Sequence, residues 1–160
     1  MDNNTTLDNF IKTFVPKDKR ERSELELKNE KKRSKFTDRL NHNWETVLDM
    51  RFVTKIPSGV NDYEFTKKEL EIKDNELCYV ISNHGEIDGE TGELSKVFDN
   101  VYGRGFGSPV ITVSGDKFYL ETELVQGKQN RFIGKVKCGE GHTAPNTSYK
   151  SLRVSCKFVV

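Results

Sequence analysis

The spacing of hydrophobic residues near the start of the chain predicts two amphipathic helices. Four apolar residues recur at intervals of three and four positions, which places them on one side of a helix: Leu7, Phe10, Ile11 and Phe14. Pro16 ends this first pattern, because proline disrupts the interior of a helix. A second set has the same kind of spacing: Phe36, Leu40, Trp44, Val47 and Leu48. Each helix therefore has a side that must pack against the rest of the protein.

The segment between these two helices, residues 17–35, is dominated by charge. It holds nine Lys or Arg and five Asp or Glu, and Leu25 and Leu27 are its only apolar residues. Its composition favours a helix, and pairs such as Glu24 and Lys28 lie one helical turn apart. Because the segment has little to bury, we expect a solvated helix or a partly disordered one.

After the helices, short stretches with the apolar content and spacing of β-strands predict a sheet. They are residues 51–56, 77–81, 110–114, 117–123, 131–137 and 152–160. The dipeptide Gly115-Asp116 predicts a hairpin turn between two of them. One further helix is predicted near 66–73, opened by a capping box of Thr66 and Glu69, and another near 93–102.

Together these elements predict an α+β fold. Charged N-terminal helices precede a mainly antiparallel sheet, and one helix, about 93–102, is inserted between strands. We expect a single domain over residues 1–160, since a chain of this length holds one core of ordinary size. Within it, residues 1–48 form a helical N-terminal extension that either packs on or projects from the α+β core of residues 49–160.

The composition and charge of the chain lack the strong basic excess that is typical of nucleic-acid-binding proteins. Hydrophobic residues make up 34% of the chain and charged residues 32%, and the formal net charge is +1. Residues 1–44 carry eleven basic and eight acidic side chains, net +3, which leaves fifteen basic and seventeen acidic in residues 45–160, net −2. This asymmetry is too mild to indicate nucleic-acid binding by itself.

Localisation is expected to be cytoplasmic. The N-terminus is polar, and no run of about 18 apolar residues is present, the length that a membrane-spanning helix requires. The three cysteines, Cys78, Cys138 and Cys156, are an odd number and predict free thiols rather than disulfides. We expect no membrane association and no cofactor.

The loop from His84 to Gly92 has the most promising chemistry. It follows a predicted buried strand and contains an imidazole and three carboxylates. In an enzyme, His84 would act as a general base oriented by Glu86 or Asp88, and Arg104 would bind an anionic group. Alternatively, the acids of this region could ligate Mg²⁺ or Ca²⁺, or simply favour the start of the following helix: Glu86, Asp88, Glu90 and Glu93.

Other motifs carry weaker signals. Residues 103–107 are glycine-rich but lie between a predicted helix and a strand, the reverse of the usual phosphate-binding order. Cys138, His142 and Cys156 have zinc-ligand chemistry without paired spacing, so no metal site is predicted. Four basic residues could form a stripe that binds phosphates: Lys28, Lys32, Lys35 and Arg39.

Three functional hypotheses follow from these residues. The leading one is a non-enzymatic binding or regulatory module that contacts another protein through its charged N-terminal region. The alternative is a small, hydrolase-like enzyme that acts on an anionic small molecule with the loop of residues 84–93 and Arg104. The third is weak nucleic-acid binding by the basic stripe of residues 28–39. The lack of a nucleophile elbow, a Walker motif or a zinc-protease motif favours the first.

Overall fold

A computed structural model describes residues 3–124 and 129–136. Three helices come first: α1 (Asn3–Phe14), α2 (Arg20–Leu27) and α3 (Arg33–Val47), joined by short 3₁₀ turns. The remaining elements, in chain order, are β1 (Val53–Lys55), α4 (Asp62–Leu70), β2 (Leu77–Val80), β3 (Thr91–Glu93), α5 (Leu94–Val101), β4 (Ser108–Thr112), β5 (Lys117–Leu124) and β6 (Gln129–Lys135).

The strands form one sheet in the order β1-β6-β5-β4-β2-β3, and every neighbouring pair is antiparallel. The predicted hairpin at Gly115-Asp116 joins β4 and β5, with Ile111 opposite Phe118. Helix α5 lies in the chain between two strands, as predicted, although β3 before it occupies residues where a loop was predicted. The α+β fold with its antiparallel sheet and inserted helix is therefore confirmed.

Both faces of the sheet are apolar. Side chains alternate along each strand, so a strand with consecutive apolar residues contributes to both faces. On β5, Phe118 and Leu120 belong to one buried cluster and Tyr119 belongs to the other. Helices α1, α2 and α3 cover the first face, where Phe10, Phe14, Leu27, Phe36 and Leu40 are fully buried. Helices α4 and α5 cover the second face, with Leu70, Leu94, Val97 and Phe98. The result is a three-layer arrangement of helices, sheet and helices.

Aromatic rings join α1 to the centre of the sheet. The ring of Phe118 lies 5.6 Å from that of Phe10 and 4.8 Å from that of Phe14, centroid to centroid, both edge to face. On the neighbouring strand, Gly134 lies opposite Phe118 and leaves room for its ring. The hairpin turn also touches α1, since a Cβ on Gly115 would lie 2.6 Å from the carbonyl oxygen of Thr6.

The charged segment of residues 17–35 does not form the single solvated helix that its composition suggests. It divides into α2 and a 3₁₀ turn before α3, and Asn29 marks the break by accepting a hydrogen bond from the amide of Lys31. Leu27 and Ser23 are fully buried, and Arg33 is almost so. A few well-placed residues are enough to hold the segment against α1, α3 and the apolar core, although most of its other side chains remain exposed.

Two local predictions are wrong, and others concern residues outside the described ranges. Helix α4 begins at Asp62 because Asn61 accepts a hydrogen bond from the amide of Glu64, so Thr66 is a buried interior residue and not its cap. The first strand covers only Val53–Lys55, since a 3₁₀ turn occupies Met50–Phe52. The predicted strand 152–160, the loop 138–150 and the candidate zinc ligands Cys138, His142 and Cys156 lie outside the described residues.

No helix within residues 3–124 and 129–136 is both long enough and apolar enough to cross a membrane.

We expect Gly134→Ala to destabilise the protein. The added Cβ would lie 2.0 Å from a ring carbon of Phe118, so the core must shift, at a cost of about 1–3 kcal/mol. Gly85→Ala is the matched control, since open space surrounds that position and its effect should stay within about 0.5 kcal/mol. Urea unfolding measures both, and equal midpoints for the two variants would contradict this packing.

Candidate functional site

Asp88 ties the predicted catalytic loop to helix α3. One oxygen of its carboxylate accepts a hydrogen bond from Nη1 of Arg33 at 3.0 Å, and the other accepts from the amide of Ser82 at 3.0 Å. The amides of Ile87 and Asp88 donate to the carbonyl of His84, which folds the loop into a tight turn. Asp88 is therefore already occupied in holding the loop.

Arg33, the first residue of α3, is the partner that sequence reasoning missed. Only 9% of its side chain is exposed, and its Nε donates to the carbonyl of Leu27 at 2.9 Å. The guanidinium carbon lies 5.9 Å from the centre of the Tyr79 ring. Burial raises the pKa of Tyr79 above its ordinary value of 10.0, and the positive charge of Arg33 opposes that rise. Tyr79 thus remains a neutral hydroxyl at physiological pH.

The other three predicted catalytic residues are exposed. The ring of His84 stacks on Phe106, with centroids 4.0 Å apart, and so contacts the glycine-rich segment that carries Arg104. Asp88 instead accepts a hydrogen bond from Arg33. The structure thus brings the loop of His84 and the segment of Arg104 together, but the cleft beside Asp88 is not lined by His84, Glu86 or Arg104.

This cleft, called the Arg33 cleft below, has a volume of about 650 Å³. It lies between the start of α1, the turn before α3 and the loop after β2, and its lining is Asn3, Asn4, Lys28, Glu30, Lys31, Arg33, Tyr79, Gly85, Asp88 and Gly89. Three cations and two carboxylates contribute to the wall. The size suits a small molecule and the lining is polar, which differs from the mainly apolar pockets that most ligands use.

A second polar cluster, buried on the other face of the sheet, positions the glycine-rich segment. The carboxylate of Glu121, which is fully buried, accepts hydrogen bonds from the amides of Gly103 at 3.0 Å and Gly105 at 2.7 Å. The hydroxyl of Tyr119 lies 3.3 Å from Glu121 and 3.2 Å from Asp62, within hydrogen-bond distance of both carboxylates. This cluster stabilises the segment that carries Arg104.

Asp62 and Tyr119 titrate abnormally because they are buried. Desolvation raises the pKa of Asp62, and Arg131, whose Nη1 lies 2.6 Å from that carboxylate, opposes the rise. Desolvation also raises the pKa of Tyr119, and the neighbouring carboxylates raise it further. Only the alternation along β5 hinted that Tyr119 and Glu121 would share a face, and nothing in the sequence indicated that a carboxylate would be buried there.

The four predicted phosphate-binding residues do not lie on one helix. Lys28 follows the end of α2, Lys32 belongs to the 3₁₀ turn, and Lys35 and Arg39 lie on α3. Two of them are engaged by acids. Lys28 contacts Glu24 at 2.6 Å and Asp8 at 2.9 Å, and these contacts raise its pKa. Arg39 binds Glu26, whose carboxylate is buried.

The exposed side of α2 contains an apolar residue flanked by opposite charges. Leu25 is 62% exposed, more than any other large apolar side chain in the described part of the chain. Shallow grooves of about 360 and 320 Å³ adjoin it. We call this surface the Leu25 face and define it by Asp18, Glu21, Glu24, Leu25, Lys28, Lys32 and Lys35, all of them exposed and all lining one groove or the other.

Most acids around the 84–93 loop are engaged by other side chains, and they are not grouped as metal ligands in the described part of the chain. Within the described ranges, no group of three or more His, Cys, Asp or Glu side chains is placed to hold a metal ion. Glu90 instead accepts a hydrogen bond from Asn100 at 2.8 Å, and Glu93 pairs with Lys96 at 3.2 Å. The described residues therefore give no support to the alternative in which these acids ligate Mg²⁺ or Ca²⁺.

Comparison with protein families, with curated proteins and with solved structures finds no match to this chain. Its function is therefore inferred from the side chains described above.

We expect Arg33→Met to destabilise the protein more than Asp88→Asn. Arg33→Met leaves a largely desolvated carboxylate without its cation, at a cost of about 2–4 kcal/mol. Asn at position 88 keeps an oxygen for the amide of Ser82 and should cost about 1–2 kcal/mol. Urea unfolding of both variants and the double variant gives the coupling energy, and additive effects would contradict a direct pairing.

Proposed function

We propose that the protein is a non-enzymatic binding module that acts through protein-protein contact at the Leu25 face. The observation that carries this proposal is the 62% exposure of Leu25 between two grooves. A central apolar side chain with a charged rim is the usual anatomy of a protein interface. Single exposed leucines are common, so the grooves and the charges on both sides are what distinguish this one.

The charges of the Leu25 face support the same proposal. Asp18, Glu21, Lys32 and Lys35 form no ion pair within the described residues, although acids and bases pair elsewhere on the helices. Charges of this kind steer an oppositely patterned partner and determine its orientation. An odd number of cysteines, one of them the buried Cys78, agrees with action in the reducing cytoplasm, which we infer as the location.

We expect Leu25→Glu to abolish partner binding without unfolding the protein. The new charge removes the apolar anchor, whereas an exposed helical position tolerates Glu within about 0.5 kcal/mol. Affinity capture from native lysate, followed by mass spectrometry, compares the proteins recovered with each variant.

The matched control is Val60→Glu. Val60 is also exposed, at 38%, and precedes α4, which packs on the opposite face of the sheet. Proteins recovered by the wild type and by Val60→Glu, and lost with Leu25→Glu, would support the proposal. If Leu25→Glu recovers the same proteins as the wild type, the Leu25 face is not the contact surface.

The Arg33 cleft supports a second candidate function, the binding of a small anionic molecule. Arg33 contacts Leu27, Asp88 and Tyr79 with N–H groups, and a guanidinium has five. Its side chain is held rigidly at the wall of the cleft, and Lys31 adds an exposed cation at the rim. A fixed guanidinium recognises carboxylate or phosphate groups well.

If this second function is correct, inorganic phosphate should stabilise the protein. At a concentration ten times the Kd, the free energy of unfolding rises by about 1.4 kcal/mol. Thermal unfolding in phosphate, against chloride at equal ionic strength, measures the effect. Lys31→Glu should reduce it and Lys12→Glu, an exposed base outside the cleft, should not. Equal reduction by both variants would indicate a general charge effect and argue against a site.

A further inference from the structure

The charges of the Leu25 face follow a definite order along the chain. Its three acids precede Leu25, at positions 18, 21 and 24, and its three bases follow it, at positions 28, 32 and 35. Glu21, Glu24 and Leu25 on α2 and Lys28, which directly follows α2 and keeps a helical backbone conformation, have the spacing i, i+3, i+4 and i+7, so they share one side. One end of the face is therefore acidic and the other basic, with the apolar side chain between them.

This order is complementary to itself under a two-fold rotation. An axis through Leu25 would bring the acidic end of one copy against the basic end of the other, with the two leucines in contact at the centre. A two-fold interface uses the same surface on both subunits, so it requires this self-complementarity. A parallel arrangement would instead oppose acid to acid and base to base, which is unfavourable.

The charges that such pairing needs are available in the isolated chain. Asp18 and Glu21 at the acidic end, and Lys32 and Lys35 at the basic end, form no ion pair with any residue that the structure describes. Glu24 and Lys28 next to Leu25 already pair with each other. Arg22, the one base that lines a groove at the acidic end, is engaged by Glu26 at 3.0 Å.

We propose that the Leu25 face binds the Leu25 face of a second copy of this chain, with the two α2 helices antiparallel. This inference rests on the proposed function, because it names the partner that the same face recognises. The face is smaller than a standard interface and has one apolar anchor per copy, so the dimer is weak and reversible, with a Kd between about 10 µM and 1 mM. Salt weakens it, because its ion pairs lie at the surface.

A charge-reversal experiment tests the pairing directly. One variant reverses the acidic end (Asp18→Lys with Glu21→Lys) and another reverses the basic end (Lys32→Glu with Lys35→Glu). Analytical ultracentrifugation up to 1 mM chain should give a dimer for the wild type, weakened at least about tenfold in each variant alone. An equimolar mixture of the two variants should recover the dimer, since each then presents the charges that the other lacks.

A control and Leu25→Glu complete the test. Asp99→Lys with Glu71→Lys makes the same change in net charge as the acidic-end variant, at exposed positions outside the face, and it should dimerise like the wild type. Leu25→Glu should remain monomeric. Thermal unfolding of every variant verifies its fold.

The outcomes separate this inference from the proposed function. A wild type that stays monomeric at 1 mM, or a mixture that fails to associate, overturns the self-pairing. If proteins that the wild type captures from lysate are nevertheless not recovered with Leu25→Glu, the proposed function stands and the partner is a different protein. If the wild type is monomeric and capture is also unchanged by Leu25→Glu, both proposals are wrong.

Discussion

The rest of the structure depends on a sheet that is apolar on both faces. Phe118 and Leu120 point to one side of β5 and Tyr119 to the other, and each side must be removed from water. An antiparallel sheet can leave one face solvated, but this one cannot. The three N-terminal helices are therefore required as a cover, which is why a segment as polar as α2 is held against the protein by Leu27.

The helices on the two faces also determine which polar groups become buried. Helix α3 carries Arg33 to the rim of the first layer, where Asp88 reaches it from the loop after β2. On the second face, Glu121 is buried and binds the amides of the glycine-rich segment. Buried charges of this kind are costly unless they are paired, so each one fixes the position of a loop. The loops of His84 and Arg104 are thus held by contacts to residues far away in sequence.

Periodic elements were predicted well and their polar contacts were not. The spacing of Leu7, Phe10, Ile11 and Phe14 specified α1, and Gly115-Asp116 specified the hairpin, because both signals are local. The site was predicted only in part. His84 and Asp88 do lie on one loop, but Arg33 is 55 residues away from Asp88 and was read as one more charge in a polar run. The break at Asn29 was also missed, since one side-chain hydrogen bond produced it.

By itself the sequence determined the α+β class, the antiparallel pairing and the apolar sides of the helices, because periodicity and turn chemistry act between residues a few positions apart. It also determined the order of acids, leucine and bases around position 25. Only the tertiary structure decided that Leu25 stays exposed while Leu27 is buried, and that Asp88 engages Arg33. Burial and ion pairing depend on which distant segments pack together, and a local sequence pattern does not specify those contacts.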